Sequence, residues 1–289
     1  MSASAGVNLY NRGGEQARLS SDMALLAQRT LSALGLSLTV CFAALSAGAQ
    51  ALDELLAAGT AAYEAGDFAQ AADIWQQVVA ANPEDPMARV WWALSLYERD
   101  EVSTALDILQ TATADFPEVA AVYRSLGLIQ AEQGEFAAAV AAYEQALVLE
   151  PDDAGTYYSL GLTREQQGQP AAAIAAYRAA LARDPRDPAV YTALGDVLKQ
   201  QGQLTEAINT FRQALVVAPN DPVLHRNFGV ALQAANRPLE AAIAYRRALD
   251  LAPDYAIAHN DLGLVLWSQG DLPGAVQAYR NAISSDPAY

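Results

Sequence analysis

Residues 134–153 read "GEFAAAVAAYEQALVLEPDD", and the same succession of side-chain sizes returns thirty-four residues on as "GQPAAAIAAYRAALARDPRD" (168–187) and again as "GQLTEAINTFRQALVVAPND" (202–221). A fixed period of that length belongs to chains built by stacking one supersecondary unit, since a single unit cannot bury its apolar faces alone. Counting back from Tyr289 gives seven units, 52–85, 86–119, 120–153, 154–187, 188–221, 222–255 and 256–289. Their eighth residues are all small (Gly59, Ala93, Gly127, Gly161, Gly195, Gly229, Gly263), the twentieth is always Ala, from Ala71 to Ala275, and the thirty-second always Pro, from Pro83 to Pro287. The twenty-fourth is large: Trp75, Leu109, Tyr143, Tyr177, Phe211, Tyr245 and Tyr279.

Within a unit the apolar residues fall at helical spacing. Tyr191, Leu194, Gly195 and Leu198 form one stripe, and Leu204, Ala207, Ile208, Phe211, Ala214 and Leu215 form another. Between them "KQQGQ" (199–203) is expected to turn on a left-handed Gly202, and the closing proline ends the second helix. Each unit is therefore predicted to be a helical hairpin. The small eighth and twentieth positions are expected to face each other where the helices cross, so that a larger residue at Gly161 would press on Ala173. The large twenty-fourth residue would fill the space beside them.

The totals agree with a helical chain, because strand-favouring Val, Ile and Thr are outnumbered by Ala, Leu, Gln and Glu. With 33 acids against 17 bases and a net charge of −16, the chain repels phosphate backbones, so no nucleic-acid partner is expected. One cysteine, Cys41, and two histidines, His225 and His259, exclude a disulfide framework and an ordinary structural zinc site.

From Thr30 to Ala49 the chain has no charge, Arg29 precedes the run, and Ala47 and Ala49 make an A-x-A pair. Residues 23–49 thus read as a secretory signal cleaved after Ala49 or, because the run is nearly long enough to span a bilayer, as an uncleaved membrane tether through residues 30–49. A lipoprotein reading of "LTVC" (38–41) is weakened by Val40. Residues 1–22 are a polar extension, and translation is expected to start at Met23 rather than Met1. Either reading of 23–49 places residues 50–289 outside the cytoplasm, in the periplasm or secreted.

The small, aromatic and proline positions together resemble the tetratricopeptide repeat, over residues 52–289. Leu55 and Arg89 at the fourth position and Val78 at the twenty-seventh depart from its pattern. The resemblance implies an all-α, right-handed superhelical solenoid of seven 34-residue helix-turn-helix repeats, whose first helices line a concave groove with their second, fifth, ninth, twelfth and thirteenth positions. Carried onto this chain, those positions include Leu94, Tyr97, Arg124, Leu128, Tyr158, Leu162, Arg226, Val230, Leu264 and Trp267, with Val90 beside them and Asp196 interrupting the row of ninth positions. The family's chaperone-binding members use Lys at the fifth position and Asn at the ninth, a pair absent from every unit here. The leucine row either receives a peptide or amphipathic helix or packs neighbouring first helices together. Arg124 and Arg226 are expected to meet acidic groups of a ligand.

No nucleophile, base and orienting group come together. His225 and His259 share the fourth position with Tyr123, Tyr157 and Tyr191, which marks them as half-buried seam residues. Asp152 and Asp153 sit where they can cap a helix rather than act as paired acids, and the glycines recur once per unit instead of forming a phosphate loop. The expectation is a non-enzymatic scaffold, without cofactor or metal, that binds a protein or peptide. Self-association through the last repeat is a further expectation. The alternative is the repeat region of a larger enzyme, such as a glycosyltransferase, that recruits its substrate protein.

Overall fold

The computed structural model describes residues 38–286, with side chains from residue 50 onward. The polar extension 1–22 and the start of the predicted leader lie outside the described residues. The last part of that leader, 38–49, is described as backbone only. All fourteen described elements are helices. The chain divides into two compact parts, Met1–Asn82 and Pro83–Tyr289.

In the first part, α1 (Leu38–Glu64) runs without a break across the position of the predicted cleavage and turns back through Gly66, φ +76°, into α2 (Phe68–Ala81). Asp67 caps α2 by accepting from the Gln70 N–H at 3.0 Å. The second part holds α3 (Pro86–Glu98), α4 (Val102–Asp115), α5 (Ala120–Glu132), α6 (Phe136–Leu149), α7 (Ala154–Gln166), α8 (Pro170–Arg183), α9 (Pro188–Gln200), α10 (Leu204–Val217), α11 (Pro222–Ala234), α12 (Pro238–Leu251), α13 (Ala256–Ser268) and α14 (Leu272–Ser285). Within the second part, each odd-numbered helix packs on the even one that follows it, and each even helix up to α12 packs on the next odd one. Successive odd helices of this part also touch one another, which puts them on the inside of the stack.

The stop between the two helices of a hairpin is a backbone device that recurs in all of them. Glu135 N–H reaches the Gln130 carbonyl at 2.8 Å, Gln203 reaches Leu198 at 2.9 Å and Asp271 reaches Leu266 at 2.9 Å. This closure needs a left-handed residue one place earlier, supplied by Gly202 at φ +72° as its spacing predicts. Asp100 and Asn236 occupy the equivalent place at φ 67° and 58°, a conformation that short polar side chains tolerate.

The crossing differs from expectation in one respect. The twentieth-position alanines are buried, but a side chain at the eighth position would meet the aromatic ring of the same hairpin first. A Cβ on Gly195 would lie 2.6 Å from Phe211 Cζ, one on Gly229 would lie 2.6 Å from Tyr245 Cε1, and one on Gly161 would overlap Tyr177. The absent side chain is thus the seat of a ring, and Tyr177, Phe211 and Tyr245 are completely buried. Burying each ring stabilises the hairpin by about 2 to 3 kcal/mol. In 86–119 the exchange is visible, since the seat is Ala93 and the bulky partner is Leu109, both fully buried.

The fourth-position side chains have a role that crosses the joint between hairpins. Tyr191 donates from its hydroxyl to the Pro185 carbonyl at 3.1 Å, and His225 and His259 donate from Nε2 to the Pro219 and Pro253 carbonyls at 2.9 and 2.8 Å. Arg89 does the same for Pro83 at 3.2 Å. Beside Tyr157 the donor is Arg183 instead, which reaches the Pro151 carbonyl at 2.6 Å while its guanidinium lies 4.2 Å from the tyrosine ring centroid. The histidines are therefore joint donors, half-buried as their register implies.

Candidate protein-binding groove

The sequence-predicted groove residues lie on the inner, odd-numbered helices. α3 carries Leu94 and Tyr97, α5 carries Arg124 and Leu128, α7 carries Tyr158 and Leu162, α11 carries Arg226 and Val230, and α13 carries Leu264 and Trp267. Leu128 (43 % exposed), Leu162 (38 %), Leu264 (42 %) and Trp267 (63 %) present apolar surface to solvent. The other six are half-buried. Val90, by contrast, is only 3 % exposed. Its short aliphatic side chain at the fifth position is taken into the packing, whereas Arg124 and Arg226 at the same register reach acids of the chain.

Of the ten, Leu128 and Leu162 are brought to one depression of about 250 Å³ between neighbouring hairpins. Its wall also includes Tyr143, Phe136, Ser159 and Thr163. Those four sit at the twenty-fourth, seventeenth, sixth and tenth positions, outside the set carried over from the family. Only the pairing of small polar residues at 159 and 163 with leucine at 162 could have signalled them. Thr163 spends its hydroxyl on the Ser159 carbonyl at 2.8 Å. Burial raises the Tyr143 phenol well above its ordinary value, against a lowering hydrogen bond from Ser159. Burial likewise raises Tyr158 and Tyr97, helped by the negative charges of Asp187 and Glu165 around the first and of Glu132, Glu98 and Asp100 around the second. All three are neutral phenols at physiological pH, able to donate a hydrogen bond but not to act as bases.

Both cations are engaged by the chain's own acids. Arg124 Nη1 lies 2.6 Å from Asp153 and 3.1 Å from Glu150, and Arg226 Nε lies 2.7 Å from Asp261. A ligand carboxylate would have to compete with these partners. Two twelfth-position side chains are also occupied, because Tyr177 donates to Glu165 at 3.0 Å and Tyr245 donates to Gln233 at 2.8 Å. At the ninth position Asp196 pairs with Lys199 at 2.7 Å.

Asp153 is a junction. Its carboxylate caps α7 through the Gly155 N–H at 3.2 Å, accepts from the Thr156 hydroxyl at 2.5 Å and holds Arg124 across the joint. Asp152 is exposed and 3.6 Å from Arg183, so the capping role falls to Asp153 alone. Burial by itself would raise the Asp153 carboxyl, but the hydrogen bonds from Thr156 and Arg124, the Arg124 charge and the Gly155 N–H hold it below the usual range. A carboxyl depressed by folding stabilises the fold above its unfolded pKa of about 4 and loses that contribution as pH falls through the lower folded value. Asp153→Asn is accordingly expected to cost about 1 kcal/mol at neutral pH and to make the decline of melting temperature below about pH 4 shallower than in the wild type, as thermal melts across pH would record.

Among the described residues no group of three or more His, Cys, Asp or Glu side chains could hold a metal ion, and no helix is long and apolar enough to cross a membrane. Stacked hairpins with rings seated on glycines and an inner row of exposed leucines define a helical-repeat solenoid. The tetratricopeptide repeat family model matches residues 56–112, 158–222 and 226–289, and a second repeat model of the same family matches 127–168. The chain belongs to the tetratricopeptide repeat family.

Solved structures share this fold at low sequence identity. The C-terminal part of a TPR repeat-containing protein from Cytophaga hutchinsonii is 18 % identical, with 80 % of this chain and 95 % of that chain covered and a TM-score of 0.68. YrrB, described as a TPR protein with an unusual peptide-binding site, is 22 % identical over 65 % of this chain and 96 % of its own, with a TM-score of 0.55. MamA from Desulfovibrio magneticus RS-1 is 20 % identical over 58 % and 96 %, with a TM-score of 0.55. No curated protein matches the chain.

Proposed function

We propose that this protein is an exported, non-enzymatic interaction scaffold whose inner groove, centred on Leu128 and Leu162, receives a peptide or amphipathic helix of a partner protein. One observation carries the reading: two half-exposed leucines from adjacent hairpins border the same depression, whose wall adds the buried phenol of Tyr143 and the small polar Ser159 and Thr163. Such a surface takes an apolar anchor and offers few charges, which is how helix-in-groove recognition works. Two leucines that served only to pack first helices together would be buried. The description of YrrB as a peptide-binding TPR protein favours a peptide ligand for a chain of the same fold. Arg124, Tyr158 and Arg226 border the same inner row as secondary contacts, and Leu94, Tyr97, Val230, Leu264 and Trp267 extend it towards either end.

Export rests on the charge-free run and the Ala47 and Ala49 pair. Cleavage after Ala49 would leave a mature chain starting at Gln50, within α1. The intact mass of the protein from its native host is expected to correspond to residues 50–289. Full-length chain recovered only in the membrane fraction would replace cleavage by anchoring. The groove itself is tested by capture of a partner that wild type retains and a Leu128→Ser/Leu162→Ser variant does not.

A further inference from the structure

The outer, even-numbered helices carry a second feature that the groove does not explain. At the twenty-fifth position the first three repeats have Gln76, Gln110 and Glu144, and the last four have Arg178, Arg212, Arg246 and Arg280, all four exposed. Arg178 is ion-paired with Glu206, twenty-eight residues on. The next such pair makes no bond, because Glu240 is held by Arg237 through two bonds of 2.7 and 2.6 Å, and the Arg212 charge adds only a lesser share to the lowering of the Glu240 carboxyl. For Arg246 the equivalent residue is Gly274, which has no side chain to offer.

The consequence is that Arg212, Arg246, Arg247 and Arg280, on three successive outer helices, have no carboxylate within ion-pair distance among the described residues. A chain of net charge −16 with 33 acids has acids to spare for such partners, yet Asp250 on the same helix as Arg246 and Arg247 pairs with neither. Beside Arg212 and Arg247 lies a hollow of about 280 Å³, lined by Leu215, Phe228, Leu232, Ile243 and Ala244, with His225, Glu240 and Arg247 at its edge. Arg212 stands over Phe228, its guanidinium carbon 6.0 Å from the ring centroid, and bonds only the neutral Asn209 at 3.2 Å. Ile243 is 65 % exposed at the mouth.

We infer that this outer hollow is a second docking site, for an acidic polypeptide segment that inserts one bulky apolar side chain between α10, α11 and α12 and lays its carboxylates on Arg212 and Arg247, with Arg246 and Arg280 extending the track. The charge arrangement identifies the partner's chemistry. Guanidinium groups that bond no acid of the chain favour carboxylates, which they bind in a bidentate manner. A concave hollow of this size suits a single inserted side chain of a polypeptide rather than the flat face of a lipid surface. This site is separate from the inner groove, so the two can fail independently.

The test uses the full chain and a short fluorescein-labelled peptide of glutamates around a central phenylalanine, read by anisotropy. Binding is expected to weaken with added salt, to fall about tenfold in Arg212→Gln/Arg247→Gln, and to fall similarly in Ile243→Ser or when the phenylalanine is replaced by alanine. Arg178→Gln, whose arginine already has Glu206, and Leu128→Ser/Leu162→Ser are expected to leave it unchanged, with the helical signal confirming that each variant folds. The inference is overturned if wild type does not bind the peptide, if binding ignores the double arginine change or the loss of the phenylalanine, or if phosphatidylserine vesicles bind through these arginines while the peptide does not.

Discussion

Gly161→Leu is expected to lower the stability of the stack by about 3 kcal/mol, at the upper end for overpacked sites, because even the first carbon of the new side chain overlaps the buried Tyr177 ring. The ring cannot swing aside, since its hydroxyl is tied to Glu165 and its faces are enclosed. In a chain of this length the loss corresponds to a fall in melting temperature of roughly 6 to 12 °C, and it should spread to the hairpins on either side because stacked repeats are coupled through nearest-neighbour interfaces. The pair Ala93 and Leu109 supplies the internal control. Gly161→Ala should cost markedly less in a Tyr177→Leu background than alone, a coupling that a double-mutant cycle reads directly. If Gly161→Leu melts like the wild type, the ring is not seated on the glycine.

The second large effect is on binding. Leu128→Ser/Leu162→Ser removes the two apolar side chains that border the inner depression, and loss of central anchors of this kind commonly weakens an interface by about 2 kcal/mol or more, roughly thirtyfold. Both residues are about two-fifths exposed, so the cost in folding should stay near 1 kcal/mol for each, well below that of a buried leucine. A partner captured by the wild-type chain should therefore dissociate from a variant that still gives a full helical signal. The reverse outcome, a collapsed melting temperature with affinity retained in the folded fraction, would assign the leucines to packing between first helices.

The hairpins were legible in the sequence because everything that makes them recurs. A left-handed turn at Gly202, a proline that ends a helix and an alanine at each crossing obey local rules that hold in every repeat, so seven copies of each signal reinforce one another. The partner of the small eighth residue was harder to read. Gly161 and Ala173 are both small and both conform to close approach, and only the three-dimensional path of the Tyr177 ring shows which one the glycine accommodates. Sites are least legible for the opposite reason, since they lie where the repeats differ. Ser159 and Thr163 have no fixed counterpart in other repeats, Val90 and Arg124 share a register but not a fate, and the acids that occupy Arg124 sit at the closing joint of its own repeat while the one on Arg226 comes from the following hairpin. A carry-over by position captures where a side chain starts but not which neighbour holds its end.

The seat of the ring has a consequence for how such a chain can change over generations. Glycine and ring belong to one hairpin, so a duplication or deletion of thirty-four residues carries both halves of the fit together and leaves no orphan. The contacts that cross a joint have no such protection. Moving a repeat would part Arg226 from Asp261 or Arg178 from Glu206. The number of repeats is therefore free to drift at little cost to folding, while their order is held by the charges between them.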